Sequence, residues 1–339
     1  VLIVFGDETS GKSSLLERLA MMPLLPRGEE ICTRLPIVLK MRHAKEARLP
    51  VLVVRDKSTG KEEVRRPVSL VGGQIDVRQE MERIVTDEHA GLTSVSTTRQ
   101  IEVHVHSPGV PSIDLVDLPG LKLSAGPEED PDMPAKTCAL AKEHIKQHEG
   151  TAVFLVTCPA SKSPLQSLGL QLVNELGLHD RTVGAFTMCD AAGKFDLRKL
   201  PQRVLQTAAD AFKLPPHGFV ATMTAPIEDD GLTNMQKLHE QARAERAWFA
   251  SQQVLAPLVQ EGVVGCDVLV DRLSSLYTTF LKRTWAPGTI FRLNRELARL
   301  REESDALGLP EADSAPKGAA LEEIRSKACA AAAAVLDDG

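Results

Sequence analysis

Short apolar runs alternate with stretches of helical periodicity along most of the chain. The runs are typical of buried strands, and the stretches between them repeat apolar residues every three or four positions, as one face of a helix does. Strands that alternate with helices predict an α/β fold with a mostly parallel sheet and helices on both faces. The apolar runs lie at residues 1–5, 37–41, 51–54, 113–118, 151–156, 182–186 and 218–221. Helical spacing covers residues 15–19, 79–87, 166–176, 236–249 and 263–285.

Two further strands are predicted from other patterns. Residues 101–106 alternate apolar and polar side chains, which indicates a strand with one buried face. A polar turn at residues 56–62 precedes another expected strand at 66–70. In a sheet of this kind the ligand is expected at the carboxyl ends of the strands.

The first apolar run leads directly into Gly-Asp-Glu-Thr-Ser-Gly-Lys-Ser-Ser. Glycines let the backbone curl so that successive N–H groups face an anion, and the helix that follows presents its positive end to it. Because a strand precedes the motif and a helix follows it, a phosphate-binding loop is favoured over a Gly/Ser-rich surface turn. Lys12 is expected to reach the β- and γ-phosphates, and the Ser13 hydroxyl to bind Mg²⁺. The candidate residues are Gly6, Asp7, Glu8, Thr9, Ser10, Gly11, Lys12, Ser13 and Ser14.

Composition argues against several other classes of protein. No apolar stretch has the length of a membrane-spanning helix, and we expect no secretion signal but a truncated start, because the first residue already belongs to a strand. The six cysteines stand singly, which predicts reduced thiols in a cytoplasmic protein and no structural metal. A net charge of -6 and an aromatic content of 4% argue against nucleic-acid binding.

A loop rich in Pro and Gly follows the first helix at residues 22–36. In P-loop GTPases this position holds the first switch, where a Thr hydroxyl completes the Mg²⁺ shell when the γ-phosphate is present. Thr33 is the candidate for that role.

The strand at residues 113–117 ends in Asp-Leu-Pro-Gly. Taken alone this is also a good turn sequence. Downstream of a phosphate-binding loop it gains a specific meaning: Asp117 is expected to hold Mg²⁺ through water, and the Gly120 N–H to contact the γ-phosphate. Leu118 and Pro119 lie between them and are counted with the nucleotide-binding residues.

With these motifs in place, the sequence resembles the dynamin superfamily of large GTPases. The segments L-P-R-G at 25–28 and T-R-L-P at 33–36 are specific to that superfamily rather than to small GTPases. The resemblance implies binding of GTP or GDP with Mg²⁺ and hydrolysis by a positioned water, with Arg27 and Gly28 beside the nucleotide. Other matching segments are 91–96, 116–121, 180–184 and 245–249. The implied catalytic residues are Glu8, Thr9, Lys12, Thr33 and Gly120, and the implied Mg²⁺ ligands are Ser13, Thr33 and Asp117.

The base-binding motif departs from the family pattern. Thr187-Met188-Cys189-Asp190 stands where the family has T-K-x-D, so Asp190 is placed to accept hydrogen bonds from guanine and to reject adenine. Met188 replaces the Lys whose stem packs over the base, which predicts weaker affinity without loss of base choice. A third base-contacting loop is expected at Thr222 and Met223, where dynamins carry Asn-Arg-Ser.

The phosphate loop departs as well. Glu8 takes the position of a Gln that orients the attacking water in dynamins, and Asp7 takes that of a Gly. Two carboxylates beside a polyanion are expected to oppose nucleotide binding or to slow hydrolysis, unless a cation lies beside them. Thr9 replaces a Ser that, with carbonyls near Gly28, holds a monovalent cation, either Na⁺ or K⁺.

The resemblance also implies a domain organisation and a setting in the cell. We expect a GTPase domain at 1–286, a neck helix at 287–308 after a hinge at Pro287 that breaks helix continuity, and a linker with the start of an Ala-rich stalk helix at 309–339. We further expect homodimers through nucleotide-bound GTPase domains and larger oligomers through a stalk absent here. The expected role is membrane remodelling or fission by a cytoplasmic protein peripheral to a membrane, with membrane contact only through missing regions.

Two alternatives stay open. One is a dynamin-like scaffold that binds nucleotide weakly or not at all and acts through protein contacts, which the residues at 7, 8, 188 and 222 favour. The other is an ATP-using P-loop enzyme, which Asp190 and the switch segment disfavour.

Overall fold

The computed structural model describes residues 1–20, 33–68, 73–89, 94–108, 110–208, 211–224 and 234–306, together with Gly318, Glu322, Arg325 and Ser326. The chain divides into two compact units, Val1–Leu276 and Tyr277–Gly339. Within the described residues, no helix has both the length and the apolar content that a membrane crossing requires.

The described part of the first unit is built on a single nine-stranded sheet in the order β4-β3-β5-β2-β6-β1-β7-β8-β9. Five of the eight neighbouring pairs in this described sheet are parallel, as the alternating pattern predicts. The strands are β1 (Leu2–Gly6), β2 (Ile37–His43), β3 (Val51–Asp56), β4 (Glu62–Pro67), β5 (Arg99–Ser107), β6 (Ile113–Asp117), β7 (Val153–Pro159), β8 (Thr182–Thr187) and β9 (Phe219–Ala221).

The helices fall in the connections between strands and after the last strand. In the first unit they are α1 (Lys12–Ala20), α2 (Gly73–His89), α3 (Met133–Gln147), α4 (Leu168–Leu176), α5 (Lys194–Val204), α6 (Asn234–Ser251) and α7 (Ala256–Gln260). The next helix, α8 (Cys266–Phe280), begins in the first unit and ends in the second. A π-helix at Leu281–Trp285 and α9 (Ala286–Ala306) follow. The pattern did not predict α3 or α5.

The central strand β1 places the phosphate loop. All five of its residues are buried. β6 and β7 pair with its two edges, both in parallel, and α1 and α4 pack against it. A strand covered on both faces reads as a continuous apolar run. Gly6 ends the strand where a Cβ would lie 2.4 Å from Thr157 Oγ1. A larger residue would not fit at this position. The phosphate loop thus begins at the carboxyl end of β1, which is where the sequence predicts the ligand.

The fourth strand differs from the prediction. It occupies Glu62–Pro67 rather than residues 66–70, and its side chains are exposed or half-buried throughout. As the edge strand next to β3, it carries Glu and Arg side chains that need no apolar cover. Hydrophobic periodicity therefore gives no signal for it.

Helical structure does not stop at Pro287. The residues before it form the π-helix at Leu281–Trp285, and Pro287 is the second residue of α9. Proline lacks an N–H donor, so one hydrogen bond of the helix cannot form. A π-helical turn is one way in which a helix accommodates a missing hydrogen bond. The expected break is thus a change of helix type. The predicted linker and the start of the Ala-rich helix at 309–339 lie almost wholly outside the described residues.

Candidate nucleotide-binding site

Three hydroxyl and carboxylate side chains meet at the carboxyl edge of the sheet. Asp117 is the last residue of β6 and pairs in register with Val4 of β1, while Ser13 stands in the first turn of α1. The Ser13 hydroxyl donates to Asp117 Oδ2 at 2.6 Å, and the Thr33 hydroxyl donates to the same oxygen at 3.0 Å. The two hydroxyl oxygens are 3.2 Å apart. All three predicted Mg²⁺ ligands thus lie together.

The Asp117 carboxylate has an unused oxygen. Its side chain is fully buried, and Oδ1 has no hydrogen-bond partner among the described residues. Burial raises the pKa of this carboxyl above its usual value, although Lys12 and the Ser13 and Thr33 hydroxyls favour the charged form. A buried carboxylate oxygen without a partner is costly unless a ligand completes its interactions.

The donor set suits Mg²⁺. This ion prefers hard oxygen ligands and uses one or two carboxylates together with substrate phosphates, and Asp117, Ser13 and Thr33 offer only such oxygens. These three residues would hold the ion. When bound, Mg²⁺ neutralises charge on phosphate oxygens.

The loop from Gly6 to Lys12 is held in the conformation that an anion site needs. Thr9 and Gly11 have left-handed backbones, with φ of 56° and 74°. The Ser10 hydroxyl lies 2.7 Å from Thr157 Oγ1, and the Ser10 carbonyl accepts from Thr187 Oγ1 at 2.7 Å. Neighbouring strands β7 and β8 therefore fix the loop.

Lys12 and Ser14 follow the loop as the first residues of α1. The Lys12 ammonium donates to the Asp7 carbonyl at 3.0 Å, and its side chain is buried. Ser14 is half-buried. A lysine held against its own loop is a fixed positive charge at the helix start, where phosphates bind.

The D-L-P-G segment packs directly against the loop. A Cβ on Gly120 would lie only 2.5 Å from Glu8 Cα, so this position requires glycine. The Leu121 N–H donates to the Gly6 carbonyl at 3.0 Å, and the Glu8 N–H donates to the Leu121 carbonyl at 2.9 Å. Leu118, Pro119 and Gly120 are all buried. The candidate γ-phosphate contact at Gly120 and the candidate water-orienting residue Glu8 are thus neighbours.

The Asp7 side chain does not face the phosphate position, which corrects the expectation of like charge there. Its Oδ1 accepts from the Leu168 N–H at 2.8 Å and the Gly169 N–H at 3.3 Å, at the start of α4. Its Oδ2 pairs with the Lys162 ammonium. Free N–H groups at a helix start attract a carboxylate, so Asp7 serves the packing of α4 and its charge is matched.

The Glu8 carboxylate is also paired. Glu8 Oε1 lies 2.9 Å from the Lys122 ammonium, so a side-chain cation stands beside the second carboxylate, which is the exception that the sequence prediction allowed. Sequence reasoning missed Lys122, although its place directly after D-L-P-G-L put it within reach of the phosphate loop.

Two of the base-binding candidates, Met188 and Asp190, are far more open. Met188 has a left-handed backbone with φ of 54°, and 41% of its side chain is exposed. Its methyl would lie 3.7 Å from a Cβ on Gly11, which places the thioether beside the phosphate loop. The Asp190 side chain is exposed, while Thr187 is buried beneath the loop.

The Thr222–Met223 segment lies beside these residues. The Thr222 carbonyl accepts from the Cys189 N–H at 3.4 Å. The Thr222 hydroxyl turns inward and lies 3.2 Å from the Phe186 carbonyl. This side chain is therefore occupied in the fold, and Met223 is buried as well. Of the two predicted base loops, only Met188 and Asp190 thus offer a surface to a base.

Glu245 supports this surface and was not predicted as a site residue. It is buried and accepts from the Met223 N–H and the Cys266 N–H, each at 3.0 Å. Arg18 of α1 lies 3.6 Å from it. Burial raises the pKa of the Glu245 carboxyl. The only sequence signal was its place in the segment 245–249, which matches the family.

Some predicted residues lie outside the described part of the chain. Arg27 and Gly28 are among them, so the predicted monovalent-cation site at Thr9 and Gly28 stays a prediction.

Comparison with known proteins gives a consistent picture. The model of the dynamin family matches residues 2–188. Interferon-induced GTP-binding protein Mx2 of Ovis aries is 30% identical over 81% of this chain and 36% of its own length. Dynamin-related protein 3A of Arabidopsis thaliana is 29% identical over 99% of this chain and 40% of its own length. The chain thus spans about two fifths of the curated relatives it matches.

Proposed function

The chain belongs to the dynamin family, and we propose on this premise that it binds GTP with Mg²⁺ and hydrolyses it slowly. The observation that carries the proposal is the buried Asp117 carboxylate with one oxygen unused beside the Ser13 and Thr33 hydroxyls. The names of the Mx relatives describe GTP-binding proteins, which supports guanine nucleotide as the ligand.

The roles of the chain's own residues follow from their positions. Lys12 carries a fixed positive charge at the start of α1, and the loop of residues 6–11 offers backbone N–H groups to phosphate oxygens. Gly120 and Glu8 lie side by side, so the Gly120 N–H would contact the γ-phosphate and Glu8 would orient water. Asp190 would accept hydrogen bonds from guanine, because its exposed carboxylate follows β8 at the same edge.

Slow hydrolysis follows from Glu8. Negative charge develops on the phosphate oxygens in the transition state, and a nearby carboxylate destabilises that charge, whereas the neutral amide of Gln does not. We expect Glu8→Gln to hydrolyse GTP faster in a single-turnover assay with excess protein. A variant as slow as the parent protein, or slower, would count against this role.

A scaffold that binds nucleotide weakly is the second candidate. The exposed Met188 favours it, because an open thioether gives a base little cover, and so does the inward-turned Thr222 hydroxyl. The phosphate end of the site opposes it, because a structural role alone would not need an unused buried carboxylate oxygen.

Self-assembly and membrane action form the wider part of the proposal. We propose that nucleotide-bound GTPase domains pair into a homodimer, and that a stalk outside this sequence builds larger oligomers that remodel or divide a membrane. The protein would then be cytoplasmic and peripheral to that membrane. Sedimentation velocity with GDP and aluminium fluoride tests the first step: the dimer should form with this transition-state mimic and should be absent without nucleotide.

Calorimetric titration of GTP, GDP and ATP in the presence of Mg²⁺ tests the core of the proposal. Micromolar, guanine-selective binding that disappears in Lys12→Ala would support it. If no nucleotide binds to the parent protein, the scaffold function replaces it.

A further inference from the structure

We propose that Lys122 is a positioning residue that neutralises Glu8 and holds its carboxylate at the phosphate loop. The inference rests on the proposed GTPase function and deepens it, because it names a charge that the reaction needs and that neither phosphate motif contains.

Lys122 bridges two carboxylates from different segments. Its ammonium lies 2.9 Å from Glu8 Oε1 and also pairs with Glu129. Glu129 is itself fixed, since its Oε2 accepts from the Gly126 N–H at 2.9 Å. The lysine is therefore anchored by a second carboxylate outside the phosphate loop, and its contact with Glu8 does not depend on a freely rotating side chain.

The positive charge on Lys122 is secure. Only 9% of its side chain is exposed, and burial alone would lower its pKa, but the hydrogen bonds to Glu129 and Glu8 outweigh this effect and raise the pKa. The lysine is thus charged at neutral pH. A partly buried ion pair of this kind is also screened less by salt than a surface pair.

The place of the pair gives it a function. Glu8 Cα packs against Gly120, the candidate contact of the γ-phosphate, and Lys122 comes two residues after that glycine. Without Lys122, the Glu8 carboxylate would stand uncompensated beside a group that carries several negative charges. Like charges at such short range repel strongly when little water lies between them. Lys122 offsets part of this repulsion and holds the Glu8 carboxylate where it can orient water.

The same geometry predicts which nucleotide is affected. GDP lacks the γ-phosphate, so an unpaired Glu8 carboxylate should penalise GTP more than GDP. If Lys122 served only to stabilise the fold, its replacement would weaken the binding of GTP and of GDP to the same extent. The ratio of the two affinities therefore separates positioning from structure.

A double-mutant cycle on hydrolysis and binding tests the proposal. The variants are Lys122→Met, Glu8→Gln and the pair together, with single-turnover GTP hydrolysis and the affinities for GTP and GDP as readouts. Lys136→Met is the matched control. Lys136 also pairs with a nearby acidic residue, Asp130, and in the part of the chain that the structure describes no hydrogen bond or ion pair joins it to the phosphate loop. Thermal unfolding of each variant without nucleotide reports on folding.

We expect Lys122→Met to lower the hydrolysis rate about tenfold and to shift the preference from GTP toward GDP. Adding Glu8→Gln should restore the rate to within about threefold of Glu8→Gln alone, because the repelling charge is gone. Lys136→Met should behave like the parent protein. Lys122→Arg, which keeps the charge, should retain the parent preference for GTP. If Lys122→Met does not fold, Lys122→Gln takes its place, because it also removes the charge while keeping a polar side chain beside Glu129.

Additive effects of the two substitutions, or an unchanged ratio of GTP to GDP affinity in Lys122→Met, would overturn the role of Lys122 while leaving the GTPase intact. Failure of the parent protein to bind or hydrolyse GTP would overturn the proposed function, and this inference with it. The two failures are thereby distinguished.

Discussion

The two ends of the candidate site are built in opposite ways. At the phosphate end, Asp117, Lys12 and Thr33 are all buried, and each is held by a hydrogen bond within the site. At the base end, Met188 and Asp190 are exposed, and Thr222 turns its hydroxyl into the fold. One end is organised before a ligand arrives, and the other offers an open surface.

This difference indicates where binding energy and selectivity come from. Preorganised polar groups cost little to rearrange when charge develops on a ligand. Exposed groups at the base end still interact with water, so their contacts with a base yield a smaller net free energy. The phosphate end should therefore determine affinity and rate, and the base end should adjust them modestly.

The largest expected effect is at Asp117. Asp117→Asn keeps the shape but removes the charge that would hold Mg²⁺, and we expect single-turnover hydrolysis to fall about thousandfold. Asp114→Asn is the matched control, since Asp114 stands on the same strand and pairs with Arg42 away from the site. If Asp114→Asn slowed hydrolysis as much as Asp117→Asn does, the effect would not be specific to the phosphate end of β6, and the prediction would be wrong.

The raised pKa of Asp117 predicts a dependence of stability on pH. The folded protein binds this proton more tightly than the unfolded chain does, so the stabilisation is fully present below the ordinary value of 3.8 and is lost as pH rises through the folded pKa. Without nucleotide, the free energy of unfolding of the parent protein should therefore fall, relative to that of Asp117→Asn, as the pH rises from the acidic to the neutral range. Urea unfolding of both proteins across the acidic and neutral range measures this, and Mg²⁺ with nucleotide should offset the loss. Parallel curves would mean that the carboxylate is satisfied without a ligand.

A smaller effect is expected at Asp190. Asp190→Ala should weaken GDP about tenfold and leave ADP unchanged, because a single charged hydrogen-bonding partner of guanine is lost. Calorimetry with both nucleotides measures it. Asp180→Ala serves as the control, as another exposed carboxylate. An unchanged GDP affinity would mean that the base end contributes no selectivity at all.

The smallest effect is expected at Met188. Met188→Lys should tighten GDP binding by about threefold, because the lysine stem gives the base the same cover and adds a charge near the phosphates. The left-handed backbone at residue 188 is equally unfavourable for Met and for Lys, since both side chains are unbranched at Cβ. Met188→Leu should match the parent protein in a fluorescent-nucleotide titration. A large gain in Met188→Lys would make the base end the main determinant of affinity.

The phosphate end was largely predictable from sequence, and the reason is local chemistry. Lys12, Ser13 and Asp117 stand in motifs whose spacing reflects the geometry of a strand, a tight turn and a helix, so their meeting at one edge follows from the order of the strands. The order of strands and helices was predictable for the same reason, since apolar runs mark buried strands.

The errors and omissions share a different cause. Asp7, Lys122 and Glu245 depend on partners distant in the chain, such as the start of α4 for Asp7 and the start of α8 for Glu245. No local pattern contains those contacts. The position of the edge strand β4 was predicted wrongly because its sequence does not alternate apolar and polar residues. The break expected at Pro287 is replaced by a π-helix, because a helix can widen one turn instead of ending.

Glu245 also has a consequence for the order in which the protein is made. It joins Arg18 near the beginning of the chain to Met223 and Cys266 near the end of the first unit. The first half of the site leaves the ribosome long before its last support has been synthesised. A nascent chain that stops at β8 therefore lacks the β9 edge and the Glu245 contacts, and the base end of the candidate site is complete only after the start of α8 has emerged.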